Sequence, residues 1–373
     1  MILRQISILN YKNLRQVELQ FSEKLNCFLG RNGMGKTNLL DAIYYLSFCK
    51  SAGNPADSQN IMHDEDFFMI QGRYEMEDGS TEEVYCGMKR RQKKQFKRNK
   101  KEYQRLSEHI GLIPLVMVSP DDQILILGGS EERRRFMDVV ISQYDKEYLD
   151  ALIRYNKALT QRNVLLKSEK PVDEEMFLAW EEVMAQAGEA VFRRRDEFIR
   201  TFVPIFQKYY SFISGNKEQV ELAYTSHARE GSLLKQFAEL REREKLIGYS
   251  IHGIHKDELE MRLGGFPIKR EGSQGQNKTY LVALKLAQSD FLKHVGHHAP
   301  LLLLDDIFDK LDSQRVEQIL KLVRGDDFGQ IFITDTNREN LDHLLYKEHG
   351  NCRIFMTENG AIEPLESTGE EQP

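Results

Sequence analysis

The residues with the clearest chemical potential form a glycine-rich stretch near the start of the chain. It comprises Gly30, Arg31, Asn32, Gly33, Met34, Gly35, Lys36 and Thr37. The stretch matches the P-loop pattern GxxxxGK[ST], with an apolar run at residues 25–29 before it and a helical pattern after it. Glycines let consecutive backbone N–H groups turn toward phosphate oxygens, which the N-terminus of the following helix also attracts. We therefore predict an ATP site in which Lys36 reaches the outer phosphates and Thr37 binds Mg²⁺.

A second candidate lies far along the chain, where the leucine run at residues 301–304 ends in Asp305 and Asp306. A continuous apolar run is typical of a buried parallel strand, and carboxylates at the end of such a strand face ligands at the edge of the sheet. Beside a P-loop, this pattern predicts a Walker B strand. Asp305 would hold Mg²⁺, directly or through water, and Asp306 would orient or deprotonate the attacking water.

Two shorter motifs accompany these sites. Ser273, Gln274, Gly275 and Gln276 precede an amphipathic helix, which Ser273 could simply cap. Their position upstream of the Walker B strand is similar to the ABC signature motif, which contacts the γ-phosphate held by the P-loop of a second subunit. The segment containing Asp309, Leu311 and Asp312 resembles the D-loop that follows Walker B. The four motifs in this order indicate an ATPase head that two copies close around nucleotide.

The elements that must position these motifs change in character along the chain. Residues 3–9, 17–21 and 25–29 read as strands, a helix is expected over residues 37–48, and further strands over residues 67–118. From residue 131 to residue 214, apolar residues recur every three or four positions, which predicts two long helical stretches with a break near residues 168–173. The rest is predicted as strands at 220–224, 259–263, 301–304, 331–334 and 353–356 with helices at 233–246, 275–292 and 313–323.

This organisation predicts an α/β fold of the ABC-type ATPase head class, with a mixed β-sheet and a P-loop. The interval between Gly35 and Ser273 is longer than a compact transporter ATPase domain needs, so the head is built from both ends of the chain around an inserted helical lobe. We place the N-terminal half of the head at residues 1–130, the helical lobe at 131–216, the C-terminal half at 217–364 and an acidic disordered tail at 365–373.

Composition excludes several classes of protein. The 373 residues are 40% hydrophobic and 29% charged, which is typical of a soluble globular protein. The longest apolar runs are far shorter than the ~20 residues that span a membrane, so we expect no membrane partner. Four scattered cysteines without metal-ligand spacing, together with the absence of a signal-peptide pattern, indicate a cytoplasmic location.

One segment is strongly basic although the net charge of the protein is −6. Residues 89–101 carry nine Lys or Arg in thirteen positions. We predict DNA contacts for its basic residues, Lys89, Arg90, Arg91, Lys93, Lys94, Lys97, Arg98, Lys100 and Lys101. Phe96 and Tyr103 could add surfaces on which bases stack. The alternative is a solvated turn. For Arg133–Arg135, the sequence leaves two interpretations, contact with DNA or a position inside the head.

Taken together, the motifs resemble the RecF family of bacterial DNA-repair ATPases over nearly the whole chain, excluding the acidic tail. Residues 9–14 (LNYKNL) are similar to the start of RecF and SMC-type heads. Residues 116–122 with 133–138 resemble the RecF stretch before the helical lobe, and residues 254–259 (IHKDEL) resemble a Pro-His-Arg-Asp-Asp-Leu motif of the family.

The resemblance implies an ATP-dependent homodimer that binds gapped DNA or single/double-strand junctions and has weak DNA-dependent ATPase activity. It also implies that RecR and RecO act with the protein to load RecA, in DNA replication, repair and the SOS response to DNA damage. Alternatives are the ATPase subunit of an ABC transporter, an overcoming-lysogeny-type nuclease, and an ATP-gated DNA clamp that does not hydrolyse ATP.

Three positions depart from the expected patterns. Asp306 stands where most ABC proteins have Glu, so its carboxylate is one methylene shorter and slow hydrolysis is expected. Asp335 follows the strand at 331–334, where transporters carry a histidine that senses the γ-phosphate. Ile254 replaces the proline of the family motif. None of these changes removes a phosphate ligand.

Overall fold

A computed structural model describes residues 1–54, 56–296, 298–309, 311–325, 327–336 and 351–365. Apart from Leu365, the predicted acidic tail lies outside the described residues, as does Lys310 within the predicted D-loop. The chain divides into two compact units. The first unit is Met1–Asp122 with Lys278–Pro373, and the second unit is Gln123–Asn277. The domain boundaries proposed from the sequence pattern stay predictions.

The first unit contains two six-stranded sheets. Its strands are β1 (Ile2–Tyr11), β2 (Leu14–Gln20), β3 (Leu25–Leu29), β4 (Phe67–Glu75), β5 (Thr81–Lys89), β6 (Gln95–Arg98), β7 (Lys101–Glu102), β8 (Leu115–Val118), β12 (Leu301–Asp305), β13 (Ile331–Asp335), β14 (Cys352–Glu358) and β15 (Ala361–Pro364). One sheet is antiparallel, in the order β2-β1-β4-β5-β6-β7. The described helices wholly within this unit are α1 (Lys36–Phe48) and α9 (Ser313–Arg324).

The other sheet carries the predicted site strands, in the order β15-β14-β3-β13-β12-β8. All neighbours from β14 to β8 pair in parallel, and β15 adds an antiparallel edge. Every residue of β3, β12 and β13 is buried, which explains why these strands are predominantly apolar. The mixed α/β class predicted from the sequence is confirmed.

The second unit contains most of the helical residues. Its elements are α2 (Ile124–Leu127), α3 (Ser130–Ser142), α4 (Lys146–Leu166), α5 (Glu174–Ser214), β9 (Val220–Thr225), α6 (Leu233–Ile247), β10 (Glu258–Leu263), β11 (Phe266–Pro267) and α7 (Ile268–Glu271), with β11-β10-β9 forming a small sheet. The helix α8 (Gln274–Gly296) starts before the unit boundary at Asn277 and ends after it. No described helix is long and apolar enough to cross a membrane.

The predicted pair of long helical stretches is wrong in one respect, because the first stretch is two helices, α3 and α4. The chain leaves helical geometry between Ser142 and Lys146, where Asp145 adopts an extended conformation. The carboxylate of Asp145 accepts a hydrogen bond from the backbone N–H of Tyr148 and so caps α4. The predicted break before α5 is confirmed, and Asp173 caps α5.

Two buried arginines organise the second unit. Arg162 bonds Glu181 at 2.9 Å and Glu244 at 2.5 Å, and all three side chains are fully buried. Arg195 bonds Asp138 at 2.8 Å and Asp257 at 2.7 Å. Because each guanidinium joins two other segments of the unit to its own helix, these networks fix how the elements of the unit pack.

Candidate functional site

The glycine-rich stretch connects the buried strand β3 to α1. Gly33 (φ 80°) and Gly35 (φ 118°) adopt left-handed conformations that favour glycine. A Cβ atom at Gly35 would also lie 3.0 Å from a methyl group of Leu14. The loop therefore needs glycine for both conformation and space, as expected of a backbone that wraps a phosphate.

Lys36 is the first residue of α1 and is buried. Its ammonium donates hydrogen bonds to the carbonyl oxygens of Gly30 at 2.6 Å and Arg31 at 3.1 Å. Within the described part of the chain, no carboxylate lies within ion-pair distance of it. A buried cation without a directly paired anion is costly, so this arrangement fits a site that takes an anionic ligand.

Thr37 and Asp305 meet at the edge of the parallel sheet. The Thr37 hydroxyl donates to the Asp305 carboxylate, with oxygen distances of 2.9 and 3.1 Å. A second hydroxyl, that of Thr334 on the adjacent strand β13, donates to the same carboxylate at 2.7 Å. Burial raises the pKa of Asp305, while these hydroxyls and the charge of Lys36 oppose the rise.

This donor set fits Mg²⁺ of the kind that P-loop sites hold. Mg²⁺ usually takes one or two protein oxygens and completes its shell with water and substrate phosphates. A hydroxyl and a carboxylate in contact, Thr37 and Asp305, supply that pair. The described residues include no group of three or more His, Cys, Asp or Glu side chains placed to hold a metal ion by themselves.

Asp306 follows directly and has an unusual backbone, with φ 45° in the left-handed region. Its N–H donates to the Thr334 hydroxyl at 3.1 Å, and its carbonyl accepts from Lys278 at 3.1 Å. Burial raises the pKa of its carboxyl, and the neighbouring charge of Asp305 adds to the rise. Strained backbone held by several contacts is common at functional sites, and a raised pKa makes this carboxylate a better proton acceptor.

The signature-like segment forms a reciprocal cap at the start of α8 in the second unit. The Ser273 hydroxyl accepts from the N–H of Gln276 at 3.2 Å, and the Gln276 side chain accepts from the N–H of Ser273 at 2.8 Å. Ser273 and Gln274 are exposed. The simple capping role is therefore present, and the first two residues of the segment are accessible to solvent.

The predicted D-loop follows β12 and leads into α9. Asp309 is exposed, and the side chain of Asp312 accepts a hydrogen bond from the N–H of Arg315, capping α9. Asp335, at the end of β13, is buried at the position where a transporter would carry histidine.

The basic run does not form one surface. Lys94 is held by Asp57 at 2.7 Å and by the carbonyl of Cys49 at 2.6 Å, and Arg98 makes two bonds to Glu82. The exposed members occupy the β5–β6 region and the β6–β7 turn, at opposite ends of β6: Lys89, Arg90, Arg91, Lys93, Lys100 and Lys101. These side chains are the most exposed of the basic run, whereas Lys97, which lies over the Tyr85 ring, and Arg98 are partly exposed.

The idea that Phe96 stacks with bases is wrong. Phe96 is 1% exposed and packs against Tyr103 and His109, while the Tyr103 hydroxyl lies 3.0 Å from a ring nitrogen of His109. Alternation along β6 turns Phe96 toward the core. The aromatic residues of this segment therefore stabilise the first unit.

Of the three consecutive arginines in α3, two bond within the second unit. Arg133 makes two bonds to Glu258, and Arg134 donates to the carbonyl of Asp257 at 2.8 Å. Burial lowers the pKa of Arg134. These contacts support the interpretation that the arginines orient neighbouring groups inside the protein.

The family-like motif at residues 254–259 has a structural role in the second unit. His255 lies between the Tyr155 hydroxyl at 2.7 Å and the carbonyl of Ser250 at 3.0 Å, and burial lowers its pKa to about 4. A Cβ atom at Gly253 would lie 2.2 Å from the Tyr155 hydroxyl, which explains the glycine before this motif.

Sequence reasoning missed Thr334 and Lys278. Thr334 was assigned only to a strand, although a polar residue ending an apolar run beside a Walker B strand is a signal that could have been used. Lys278 lies one turn into α8, and the sequence offers no local sign that it bonds the Asp306 carbonyl. Both contacts depend on pairing between segments far apart in the chain.

A P-loop beside a Walker B strand, in a mixed sheet assembled from both ends of the chain, defines an ABC-type ATPase head of the SMC class. The family described as "RecF/RecN/SMC N terminal domain" matches residues 2–363. The chain is 74% identical over 366 residues to the DNA replication and repair protein RecF of Bacteroides fragilis, covering 98% of this chain and 99% of that protein. It is 72% identical over 365 residues to RecF of Bacteroides thetaiotaomicron, covering 98% and 99%. The chain therefore belongs to the RecF family.

A solved structure agrees with this assignment. The recombination mediator protein RecF with ATP, from the RecFOR pathway, superposes with a TM-score of 0.87 at 28% identity. The match covers 98% of this chain and 97% of that one. The fold is thus shared along almost the entire length of both proteins.

Proposed function

We propose that this protein binds ATP and Mg²⁺ at its P-loop, closes as a homodimer and acts on gapped or junction DNA in recombinational repair. The observation that carries the proposal is the contact between the Thr37 hydroxyl and the Asp305 carboxylate, beside the buried ammonium of Lys36. The ATP complex of a solved RecF supports the choice of nucleotide. Family membership favours this function over a transporter subunit.

Each side chain of the site has a distinct role in this proposal. Lys36 binds the outer phosphates, and Thr37 and Asp305 hold Mg²⁺, which neutralises charge on the phosphate oxygens when it is bound. Asp306 orients the attacking water and accepts its proton. Its short side chain must reach the water from a strained backbone, which is consistent with slow hydrolysis.

Dimerisation would bring Ser273–Gln276 of one subunit to the γ-phosphate of the other. Ser273 is exposed at the N-terminus of α8, a helix of 23 residues. Helix N-termini attract anions through their unpaired N–H groups and dipole. Asp309, Leu311 and Asp312 would line the same interface as the D-loop.

DNA binding is proposed for the exposed basic residues around β6. Their positive charge would neutralise phosphates and release counterions, which makes the affinity dependent on salt. The names of the relatives, DNA replication and repair protein RecF, support a DNA substrate. RecR and RecO are the proposed partners, with loading of RecA as the result, because the solved relative is described as part of the RecFOR pathway.

Sedimentation velocity tests the proposal directly. We expect a monomer without nucleotide, a dimer with ATP and Mg²⁺, and a faster-sedimenting complex when a gapped duplex is added. Fully duplex DNA of equal length is the matched control for the gapped substrate. A protein that stays monomeric at saturating ATP would contradict the proposed dimer, and equal binding of both duplexes would contradict the preference for gaps.

A clamp that binds ATP without hydrolysing it is the second candidate. The shortened carboxylate of Asp306 favours it over a rapid ATPase. Measuring phosphate release with and without gapped DNA separates the two: no release in either condition, with normal dimerisation, would establish the clamp.

A further inference from the structure

Two turns of the first unit hold the P-loop from its outer side. One is the β1–β2 turn, which contributes Asn13, and the other is the β14–β15 turn, Asn359–Gly360; we call this pair of turns the clasp. The side-chain N–H of Asn13 donates to the Gly33 carbonyl at 3.3 Å. The backbone N–H of Gly360 donates to the Met34 carbonyl at 2.9 Å. Two successive carbonyls of the P-loop are therefore bound by segments from the two ends of the chain.

These bonds determine where the neighbouring N–H groups point. The C=O and N–H of a trans peptide point in opposite directions, and the described residues contain no cis peptide bond. With the carbonyls of Gly33 and Met34 turned toward the clasp, the N–H groups of Met34 and Gly35 point away from it. Phosphate oxygens bind backbone N–H groups in loops of this kind, so the clasp orients the donors that the ligand needs.

The clasp packs closely against the P-loop. Asn359 (φ 50°) and Gly360 (φ 81°) are both left-handed, as in the two-residue turns that close twisted hairpins. A Cβ atom at Gly360 would lie 2.2 Å from the carbonyl oxygen of Asn13, and one at Gly30 would lie 2.3 Å from the carbonyl of Thr357. Any residue larger than glycine at position 360 must push the two turns apart.

Asn13 is itself fixed by the first turn of α1. Its side-chain oxygen accepts a hydrogen bond from Asn38 at 2.7 Å, which leaves its N–H₂ group to bond Gly33. This second contact sets the orientation of the Asn13 amide. The loop, the helix that follows it and the clasp are thus joined by consecutive hydrogen bonds.

We propose that Asn13 and Gly360 are positioning residues for nucleotide binding, acting through the P-loop carbonyls of Gly33 and Met34. The inference rests on the proposed function, because it assigns these residues to the same ATP site. Their contacts with the loop are made to its backbone. They keep the loop in the conformation that presents its N–H groups, and so they set affinity for ATP.

The test compares two glycine-to-alanine variants of hairpin turns. Gly360→Ala strains a left-handed position and collides with Asn13. Gly79→Ala, in the β4–β5 turn, strains an equivalent position (φ 78°) with nothing within 4 Å of the added Cβ. Thermal unfolding without nucleotide and calorimetric titration with ATP and Mg²⁺ are measured for both. We expect both to melt at lower temperature, but only Gly360→Ala to raise the Kd for ATP, by about tenfold, comparable to one lost hydrogen bond.

A third variant, Asn13→Ala, removes the bond to Gly33 without backbone strain. It tests the positioning role by itself if Gly360→Ala does not fold. We expect its Kd for ATP to rise while its melting temperature changes little. Wild-type affinity for ATP in the folded variants would overturn the inference and leave the proposed function intact. A wild-type protein that does not bind ATP would overturn the proposed function and this inference with it.

Discussion

In the first unit, Lys36 is buried and its ammonium bonds backbone carbonyls, whereas in the second unit the equally buried Arg195 bonds two carboxylates. The buried carboxylates of Asp305 and Asp257 also differ in whether their partners are neutral or charged. Asp305 accepts bonds from hydroxyl groups of Thr37 and Thr334, while Asp257 is paired with an arginine. At these residues, buried charge is thus matched by opposite charge in the second unit, whereas in the first unit its direct partners are neutral polar groups.

The difference shows how the two regions are used. A charge pair completed within the chain contributes to one packed arrangement and is expensive to break. A cation or carboxylate without its counter-charge lowers stability and is retained where a ligand completes it. Substitutions in the two regions should therefore separate binding from stability, and the following experiments test that separation.

Lys36 should give the largest effect on binding with little effect on folding. Lys36→Ala removes the cation that meets the outer phosphates, and we expect ATP binding to fall below detection in calorimetry. Lys36→Arg should fail as well, because a planar guanidinium cannot occupy the site of a compact ammonium. Without nucleotide, the melting temperature of Lys36→Ala should be at or above that of the wild type, because the substitution removes a buried cation that no carboxylate of the described residues pairs with directly. Normal ATP affinity in the arginine variant would remove Lys36 from the site.

Asp306→Asn should separate hydrolysis from binding. The amide can still hydrogen-bond water but cannot accept its proton, and loss of a general base typically lowers rates by ~10²–10⁴. We expect normal ATP affinity, a persistent ATP-bound dimer in sedimentation and little phosphate release. If turnover stays at the wild-type rate, another group positions the water.

Arg195→Ala should show the opposite behaviour to Lys36→Ala. It leaves the carboxylates of Asp138 and Asp257 without their partner, and breaking a buried pair typically costs ~3–5 kcal/mol of unfolding free energy. Urea unfolding measures this loss. Arg200→Ala is a matched control, because the Arg200 side chain is 77% exposed, Asp196 keeps its ion pair with Arg229, and an exposed ion pair contributes ~0–1 kcal/mol. Equal losses in the two variants would contradict the structural role of Arg195.

Ser273→Arg tests the exposed N-terminus of α8 without touching either buried network. The bulky cation would fill the space that the opposing γ-phosphate requires. ATP binding to the monomer should be unchanged, and the ATP-dependent dimer should be lost in sedimentation. Ser273→Ala, which removes the cap alone, is the control for helix stability and costs ~1 kcal/mol. A dimer that forms normally with arginine would move the interface elsewhere.

The smallest expected effect concerns DNA affinity at the two ends of β6. Arg91→Ala with Lys93→Ala, and Lys100→Ala with Lys101→Ala, remove the same charge from opposite ends of one strand. Each phosphate contact that is lost should flatten the slope of log affinity against log salt by ~0.7–0.9. The pair that changes the slope in fluorescence anisotropy titrations marks the end that meets DNA. If neither does, the basic run is a solvated turn.

The sequence predicted the parts of the site that are contiguous along the chain. The glycines, Lys36 and Thr37 follow one another, and the leucine run marks β12 because a strand buried on both faces is predominantly apolar. The roles of these residues in catalysis and binding stay predictions, while the elements that carry them are confirmed.

Other features depend on pairing between distant segments, which a local pattern signals weakly, as for Thr334, or not at all. Thr334 reaches Asp305 because β13 lies beside β12, and Gly360 reaches Met34 because β14 lies beside β3. The burial of Phe96 follows from which face of β6 meets the core. Local composition does not encode these relations, and the basic run, for which DNA contact was predicted as a whole, has its exposed members at opposite ends of β6.

The distance in sequence between Thr37 and Asp305, 268 residues, also has a consequence for synthesis on the ribosome. At ~5–20 residues per second, about 13–54 s pass between translation of one partner and of the other. The strands β13 and β14, which flank β3 in the finished sheet, are translated later still. A nascent chain therefore exposes β3 without its neighbouring strands until β13 and β14 have been translated, and the contact between Thr37 and Asp305 cannot form before β12 has been translated.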